Sequence, residues 1–420
     1  MSSPDLYASR LDALQQTFSG NSPYFISLKL SFTAPFDFPR MQNALALLTA
    51  AFPVLTARFD ADAGGWTYTD SLVEILPFSG DMDESLDCIN ARPDESAPFF
   101  LLSSPDGKTL LLTIDHTVTD AHGLIRIGEL LSTAYRSLKT NPAYCIETLT
   151  ESRSIPLAAR MHRFTEQDYL SLCAREVAAS ELAKPWHTYL TYSAPAEGTY
   201  QFHIRRIPPE CLVSAKAAAK RLGATVNDLL KAAFAVALQK CIAEKTGERI
   251  PFIPLRQAND LRKYLPASAR QEIGNFSVPC WASVECPPDE NFSAVLRRIG
   301  ETSRTLKDLP TAPGILFAVE HPGLPLSQAL LTGEQISSAS LSNVGVISSD
   351  SLNFGDDLPV EDAIPYADLR FGNPYYLIAS TYAGRLSLAA VTRSAGVEEA
   401  ERILDETAGI LTASAACLKQ

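Results

Sequence analysis

Residues Asp115–Gly123 read Asp-His-Thr-Val-Thr-Asp-Ala-His-Gly. The stretch before them, Leu110–Ile114, is apolar and contains no Gly or Pro, which predicts a buried strand. The stretch after them, Leu124–Leu138, repeats apolar residues at a spacing of three and four, which predicts a helix with one buried face. His116 and Asp120 are therefore expected at a strand-to-helix turn, where two rigid elements position side chains at the edge of a sheet.

The residue types of this turn allow three interpretations. In the first, His116 is a general base whose surroundings Asp120 holds in place, because an imidazole titrates near pH ~6.5. In the second, His116, Asp120 and His122 ligate a metal ion. In the third, Asp120 caps the helix and His116 is a hydrogen-bonded core residue. The H-x-x-x-D spacing alone does not choose among them.

Composition narrows the class of protein. The chain has 420 residues, 46% of them hydrophobic and 20% charged, which predicts one or two globular domains with a sizeable core. A net charge of −12 without a basic run argues against a nucleic-acid partner. The eight Cys contain no C-x-x-C pair, which favours reduced core residues in the cytoplasm over a disulfide framework. The sequence has no run of about 18 apolar residues, so it predicts no membrane span. No Walker or dinucleotide-binding glycine pattern is present.

Two similar hairpins indicate two related halves. FFLLSSPDGKTLLLTID at 99–115 and YYLIASTYAGRLSLAAVT at 375–392 are similar in length, turn placement and apolar pattern. We therefore predict an α/β chain in two halves, each a sheet flanked by helices. The predicted division is an N-terminal half over 1–165, a connecting segment over 166–198 and a C-terminal half over 199–420.

The second half carries its own helix and strand signals. Thr225 and Asp228 have the spacing of a capping box and open a predicted buried helix over Val226–Lys245. Ser340–Ile347 is a predicted strand that contains Asn343. No second H-x-x-x-D turn is present, so the halves are not expected to be chemically equivalent.

The turn and several other stretches resemble the coenzyme A-dependent acyltransferase superfamily, which includes chloramphenicol acetyltransferase, alcohol acetyltransferases, polyketide-associated acyltransferases and the condensation domains of peptide synthetases. The shared motif is H-x-x-x-D, here His116 to Asp120. Asp115 replaces the first His of the double-His form, and Ala121 replaces the Gly that follows the Asp. Similar stretches follow in family order along nearly the whole chain: Phe36–Asp60, Ile253–Arg256 with Ile273–Asn275, Ser342–Gly345 and Phe371–Pro374.

The resemblance implies a fold and a reaction. The fold is two pseudo-related chloramphenicol acetyltransferase-like lobes, each a mixed sheet flanked by helices, with the active site at the lobe interface. The reaction is transfer of an acyl group from a thioester, either acyl-coenzyme A or an acyl carrier protein, to a hydroxyl acceptor. The thioester is a co-substrate, and no permanently bound cofactor or metal is implied.

The resemblance also implies roles for individual residues. His116 is the general base, and Asp120 holds the turn through an arginine for which Arg256 is the candidate. Asn343 is the candidate donor to the oxyanion. Residues expected to contact substrate are Gly123, Phe371 and Tyr375, although the two aromatic residues also suit a sheet core.

Other functions stay open at this point. The acceptor could be an amine, as in condensation-type amide formation, or the protein could bind a carrier or thioester without catalysis. A metal-dependent hydrolase is a third alternative. No adenylation or carrier segment follows the last predicted helix, so we expect a stand-alone cytoplasmic enzyme that takes its thioester from coenzyme A or a separate carrier protein.

Overall fold

The computed structural model describes residues 8–18, 24–60, 64–68, 73–92, 97–147, 155–161, 163–190, 199–308, 310–327, 338–368, 375–393 and 396–417. The helices are α1 (Arg10–Phe18), α2 (Phe38–Ala51), α3 (Met82–Asn90), α4 (Ala121–Leu138), α5 (Leu157–Arg160), α6 (Glu166–Ala183), α7 (Pro209–Arg221), α8 (Val226–Thr246), α9 (Phe292–Asp308), α10 (Ala312–Glu320) and α11 (Val397–Cys417). The strands are β1 (Phe25–Phe32), β2 (Ala57–Asp60), β3 (Gly65–Tyr68), β4 (Ile75–Pro77), β5 (Phe99–Ser103), β6 (Thr109–Asp115), β7 (Tyr200–Ile207), β8 (Phe252–Ile253), β9 (Leu255–Asp260), β10 (Ser277–Trp281), β11 (Val284–Glu285), β12 (Ala339–Ile347), β13 (Val360–Ala367), β14 (Tyr375–Tyr382) and β15 (Arg385–Arg393).

The chain divides into two compact units, and each unit is assembled from three separate segments of the chain. Unit 1 comprises 1–163, 261–277 and 346–368, and unit 2 comprises 164–260, 278–345 and 369–420. The predicted first boundary at 165 lies two residues from the end of the first segment. Two later segments, 261–277 and 346–368, nevertheless belong to unit 1, because the first lies against the His116 turn and the second supplies β13 to the unit 1 sheet.

Unit 1 is built on a five-stranded sheet in the order β13-β1-β6-β5-β4. β1 is antiparallel to both of its neighbours, with Leu28 opposite Leu112 on β6 and Pro365 on β13. A Cβ added to Gly128 on α4 would lie 3.2 Å from the Leu28 side chain and 3.6 Å from that of Leu112, so α4 packs closely on this face of the sheet. Successive side chains of a strand point to opposite faces, and the other face packs on α3 in a cluster of Phe25, Phe78, Ile89, Phe100, Leu102 and Leu111.

Unit 2 is built on a six-stranded mixed sheet in the order β10-β9-β12-β14-β15-β7. The predicted second hairpin is confirmed as β14 and β15, whose two-residue turn has positive φ at both Ala383 and Gly384. This is the backbone twist that two-residue hairpins require. The predicted capping box at Thr225 and Asp228 is also confirmed, and α8 that follows it is buried along most of its length.

The described part of the predicted connecting segment, residues 166–190, belongs to unit 2. Its helix, α6, begins with a capping box at Thr165 and Asp168. The Tyr169 ring stacks on Phe317 of α10 at 4.7 Å, and the Cys173 thiol donates to the carbonyl of Gly314. The segment was predicted only as a connection, but α6 buries Tyr169, Leu172, Cys173, Glu176 and Ala183. No described helix is long and apolar enough to cross a membrane.

Candidate functional site

The turn after β6 is fixed by hydrogen bonds at both ends. At its start, the N–H of His116 donates to the carbonyl of Tyr24 at 2.7 Å, and the N–H of Val118 donates to the carbonyl of Asp115 at 3.0 Å. At its end, Asp120 is the N-cap of α4 and accepts from the N–H of Gly123 at 3.0 Å. The predicted strand-to-helix turn is confirmed, and His116 projects from a backbone that both elements restrain.

Asp115, which replaces the first His of the double-His motif, is bonded within the turn. Its Oδ1 accepts from the backbone N–H of Thr117 at 2.8 Å and from the Thr117 hydroxyl at 2.7 Å. Burial raises the pKa of Asp115 to about 6, although both Thr117 hydrogen bonds favour the charged form. The side chain therefore stabilises the turn by closing it on itself.

Asp120 forms a buried ion pair with Arg262. Asp120 is 2% exposed and Arg262 is 6% exposed, and Nη1 of Arg262 donates to Oδ2 of Asp120 at 2.8 Å. The N–H of Phe276 donates to the same carboxylate oxygen at 2.9 Å. Burial alone would raise the pKa of Asp120, but the charge and hydrogen bond of Arg262 outweigh it and lower the pKa to about 2. Asp120 therefore stays ionised and does not exchange protons near neutral pH.

The predicted partner of Asp120, Arg256, is wrong by six residues. Arg256 lies in unit 2, with its guanidinium 4.5 Å from the centre of the Trp281 ring, and it stabilises the charged form of Glu176. β9 continues past Arg256 to Asp260, and only after that strand does the chain enter unit 1 at Leu261. The prediction therefore chose an arginine on β9, whereas the arginine that contacts Asp120 follows that strand.

Segment 261–277 is bonded to the turn at several further atoms. The Thr119 hydroxyl donates to the carbonyl of Gly274 at 3.1 Å and accepts from the N–H of Gly274 at the same distance. A Cβ on Gly123 would lie 1.8 Å from Thr119 Oγ1. Gly123 therefore has a structural reason to be glycine, because the first turn of α4 leaves no room for a side chain, and its predicted substrate contact stays a prediction.

His116 is held by stacking and by an amide. Its ring lies parallel to that of Tyr24, with centroids 5.4 Å apart and an interplanar angle of 17°. Its Nδ1 lies 3.2 Å from Oδ1 of Asn275. Asn275 is 3% exposed and His116 is 8% exposed. The imidazole is thus oriented by neighbours on two sides, which is what proton transfer in a fixed direction requires.

Several solved structures have a fold similar to nearly the whole of this chain. The first condensation domain of the calcium-dependent antibiotic synthetase, solved with a substrate analogue, has a TM-score of 0.74 at 17% identity, covering 98% of this chain and 96% of that one. Polyketide synthase associated protein 5 from Mycobacterium tuberculosis has a TM-score of 0.67 at 17% identity, covering 98% and 99%. The chain has the condensation-domain fold.

Trichothecene 15-O-acetyltransferase from Fusarium sporotrichioides shares the condensation-domain fold, with a TM-score of 0.67 at 15% identity, covering 97% of this chain and 95% of that one. No protein-family profile matches the sequence, and no curated protein sequence is similar to it. The likeness therefore confirms the fold expected from the resemblance, an α/β architecture of two pseudo-related lobes.

Within the condensation-domain fold, the other predicted site residues lie in different surroundings. Asn343 is on β12 of unit 2, where its Nδ2 donates to Oδ1 of Asn227 at 3.3 Å and its Oδ1 accepts from the N–H of Gly345 at 3.1 Å. Tyr375 lies at the start of β14 and packs against the unit 2 core. Phe371 lies outside the described residues. The roles of Asn343 and of the two aromatic residues stay predictions.

The metal interpretation of the turn gains no support from the geometry. Within the described part of the chain, no group of three His, Cys, Asp or Glu side chains is arranged to hold a metal ion. Both carboxylate oxygens of Asp120 accept hydrogen bonds from protein donors, Gly123, Arg262 and Phe276. His122 is an exposed residue in the first turn of α4.

Sequence reasoning missed four residues around His116: Asp12, Tyr24, Arg262 and Asn275. Only Asn275 had a signal, because Ile273-Gly-Asn275 was recognised as a similar stretch without being given a role. Tyr24 and Asp12 come from strand and helix termini far from the motif in sequence. Nothing in their spacing connects them to His116.

Proposed function

We propose that this protein transfers an acyl group from a thioester, carried by coenzyme A or an acyl carrier protein, to a hydroxyl acceptor, with His116 as general base. The observation that carries the proposal is the position of His116. Its imidazole is oriented by Tyr24 and Asn275 in a turn that the buried Asp120–Arg262 pair stabilises, in a chain with the condensation-domain fold.

The residues supply what this reaction needs. An alcohol is a poor nucleophile until its proton leaves, and a positioned imidazole that takes that proton contributes roughly 10²–10⁴-fold to the rate. As His116 takes the proton, the acceptor oxygen bonds to the thioester carbonyl carbon and a tetrahedral oxyanion forms. The C–S bond then breaks, and the imidazolium returns its proton to the sulfur. The products are an ester and a free thiol, and no acyl-enzyme is required.

Asp120 has no proton to give in this scheme, because its pKa of about 2 keeps it ionised. Its function is to keep the turn in one conformation through Arg262 and Phe276. The oxyanion needs a hydrogen-bond donor, and the Asn343 amide is our candidate for it.

Amide formation on an amine acceptor is the second candidate, and the likeness to condensation domains favours it. A member that binds thioesters without catalysis is a third. The same chemistry serves the first two, because an amine also loses a proton as its nitrogen attacks. They differ only in the acceptor, so one assay separates all three.

The test is thiol release from a panel of acyl-coenzyme A and acyl-pantetheine donors, each crossed with alcohols and amines. We expect turnover with an alcohol and loss of about 10²-fold or more in His116→Ala. His122→Ala is the matched control, because it removes the same side chain from the exposed face of the same turn. Full turnover in a folded His116→Ala variant contradicts the base role, and thioester binding without release supports the non-catalytic alternative.

A further inference from the structure

Asn275 makes four contacts with the groups around His116. Its Nδ2 lies 2.9 Å from the carbonyl of His116, 2.8 Å from the carbonyl of Thr117 and 2.9 Å from Oδ1 of Asp12. Its Oδ1 lies 3.2 Å from Nδ1 of His116. Asn275 is buried, as is Asp12, which is 1% exposed.

These contacts fix the orientation of the amide. An amide carries two N–H donors on nitrogen and only lone pairs on oxygen. The three groups around Nδ2, two carbonyls and a carboxylate, can only accept. A reversed amide would place its oxygen against all three, so Nδ2 must face them and Oδ1 must face His116.

The amide orientation in turn decides which ring nitrogen of neutral His116 carries the proton. Because Oδ1 of Asn275 can only accept, the hydrogen bond forms when Nδ1 of His116 carries the hydrogen. The lone pair is then on Nε2. In this way the hydrogen bond made by one imidazole nitrogen decides whether the other nitrogen can accept a proton.

Asp12 is itself held in place by the start of α1. The Ser9 N–H donates to Oδ2 of Asp12 at 2.8 Å, and the Asp12 N–H donates to the Ser9 hydroxyl at 3.2 Å. This reciprocal pair is a capping box. It leaves Oδ1 of Asp12 directed at Asn275, so the N-terminal helix is connected to the His116 ring through two buried side chains.

We propose that Asn275, oriented by Asp12, is a positioning residue that holds neutral His116 in the tautomer with its lone pair on Nε2. The tautomer itself does not depend on the reaction, but its catalytic consequence rests on the proposed acyl transfer. A base in the wrong tautomer presents an N–H where the acceptor proton must go, so the population in that tautomer cannot act as base.

The direct test is the ¹⁵N spectrum of the histidine side chains in the full-length protein at a pH where His116 is neutral. The chain has six His, and the His116 signals are assigned by their absence from His116→Ala. In the wild type we expect a protonated Nδ1 and an unprotonated Nε2. In Asn275→Ala we expect a mixture of tautomers. In the thiol-release assay of the same variant, we expect kcat to fall roughly 10–100-fold while KM changes little.

Asn90→Ala is the matched control. Asn90 lies in unit 1 on α3, and its amide donates to the Leu86 carbonyl. Its removal costs an amide hydrogen bond and should leave the His116 tautomer unchanged. A structural loss common to both variants would appear in both spectra, whereas a positioning role appears only in Asn275→Ala.

The inference fails if wild-type His116 carries its proton on Nε2, and this measurement needs no variant to fold. It also fails if folded Asn275→Ala keeps the wild-type tautomer. The Nδ1-protonated tautomer, lost in Asn275→Ala, supports the inference even if no thioester turns over, in which case only the proposed function is lost. If the enzyme turns over and Asn275→Ala leaves the tautomer unchanged, the proposed function stands and Asn275 has no positioning role in it.

Discussion

Asp120→Ala should destabilise unit 1 far more than the loss of an ordinary helix cap. The substitution leaves the buried Arg262 charge without its carboxylate, which costs about 3–5 kcal/mol, and removes the α4 cap, which costs about 1 kcal/mol. Arg262 keeps its hydrogen bond to the Gly274 carbonyl at 3.1 Å, which moderates the loss. We therefore expect the free energy of unfolding to fall by about 4 kcal/mol.

Asp81→Ala is the matched control for this prediction. Asp81 caps α3 through the N–H groups of Asp83 and Glu84 and is exposed to solvent. It has the same chemistry as the Asp120 cap without the buried arginine, so its loss should cost about 1 kcal/mol. The difference between the two variants isolates the ion pair. A double variant, Asp120→Ala with Arg262→Met, should be more stable than the sum of its single variants predicts, by at least about 2 kcal/mol.

The pH dependence gives a second measure of the same pair. The pKa of Asp120 is lowered from 3.8 to about 2, so its contribution to stability is present above pH 4 and is lost as the pH falls towards 2. The shift corresponds to about 2.5 kcal/mol. Wild type should lose about 2 kcal/mol of this contribution between pH 5 and pH 2, and Asp120→Ala should not.

Local hydrogen exchange is the suitable assay, because two compact units need not unfold together. Peptides that cover the turn, α4 and segment 261–277 report on the ion pair directly. The reasoning is refuted if Asp120→Ala opens these peptides no more than Asp81→Ala does. It is equally refuted if the acid sensitivity of wild type and Asp120→Ala is the same.

Three further predictions concern single side chains. Burial raises the pKa of Glu176 to about 7. The free energy of unfolding of the wild type should therefore fall by about 3 kcal/mol as the pH rises from 4.5 to 7, and that of Glu176→Gln should not. Urea unfolding at pH 5 and pH 8 measures the difference. Gly123→Ala drives a Cβ into Thr119 and should cost about 1–3 kcal/mol. Gly409→Ala is the control, because Gly409 is exposed on α11 and an added Cβ meets no neighbour; it should gain about 0.5–1 kcal/mol of stability. Equal melting temperatures for the two variants would contradict this prediction. Asn343→Ala should lower kcat about 10²–10³-fold if its amide stabilises the oxyanion, and an unchanged kcat removes that role.

Local sequence patterns predicted the elements that carry the site. Apolar periodicity located β6 and α4, and the Ala383-Gly384 dipeptide located the second hairpin, because these signals act over a few residues. The capping box at Thr225 was readable for the same reason. β13 carried no comparable signal in our interpretation, and its place beside β1 is set by tertiary pairing.

Partners of the site residues were harder to predict, because they are fixed by contacts between distant segments. The sequence offers Arg256 and Arg262 six residues apart, and only the return of the chain to unit 1 after β9 selects Arg262. Asn275 lies in a stretch that was recognised, yet its contact with His116 depends on the register of segment 261–277 against the turn. Asp12 is separated from both by most of the chain and could not be connected to them by spacing.

The pairing of β1 with β13 has a consequence for biosynthesis. β1 is among the earliest strands to leave the ribosome, and β13 is among the latest. Until the nascent chain has passed Ala367, one whole side of β1 has unpaired N–H and C=O groups, which is a template for intermolecular pairing. His116 is also made long before Arg262 and Asn275 can reach it. An N-terminal fragment of the gene product should therefore accumulate as aggregate, and chaperones that cover exposed strands should matter most during its translation.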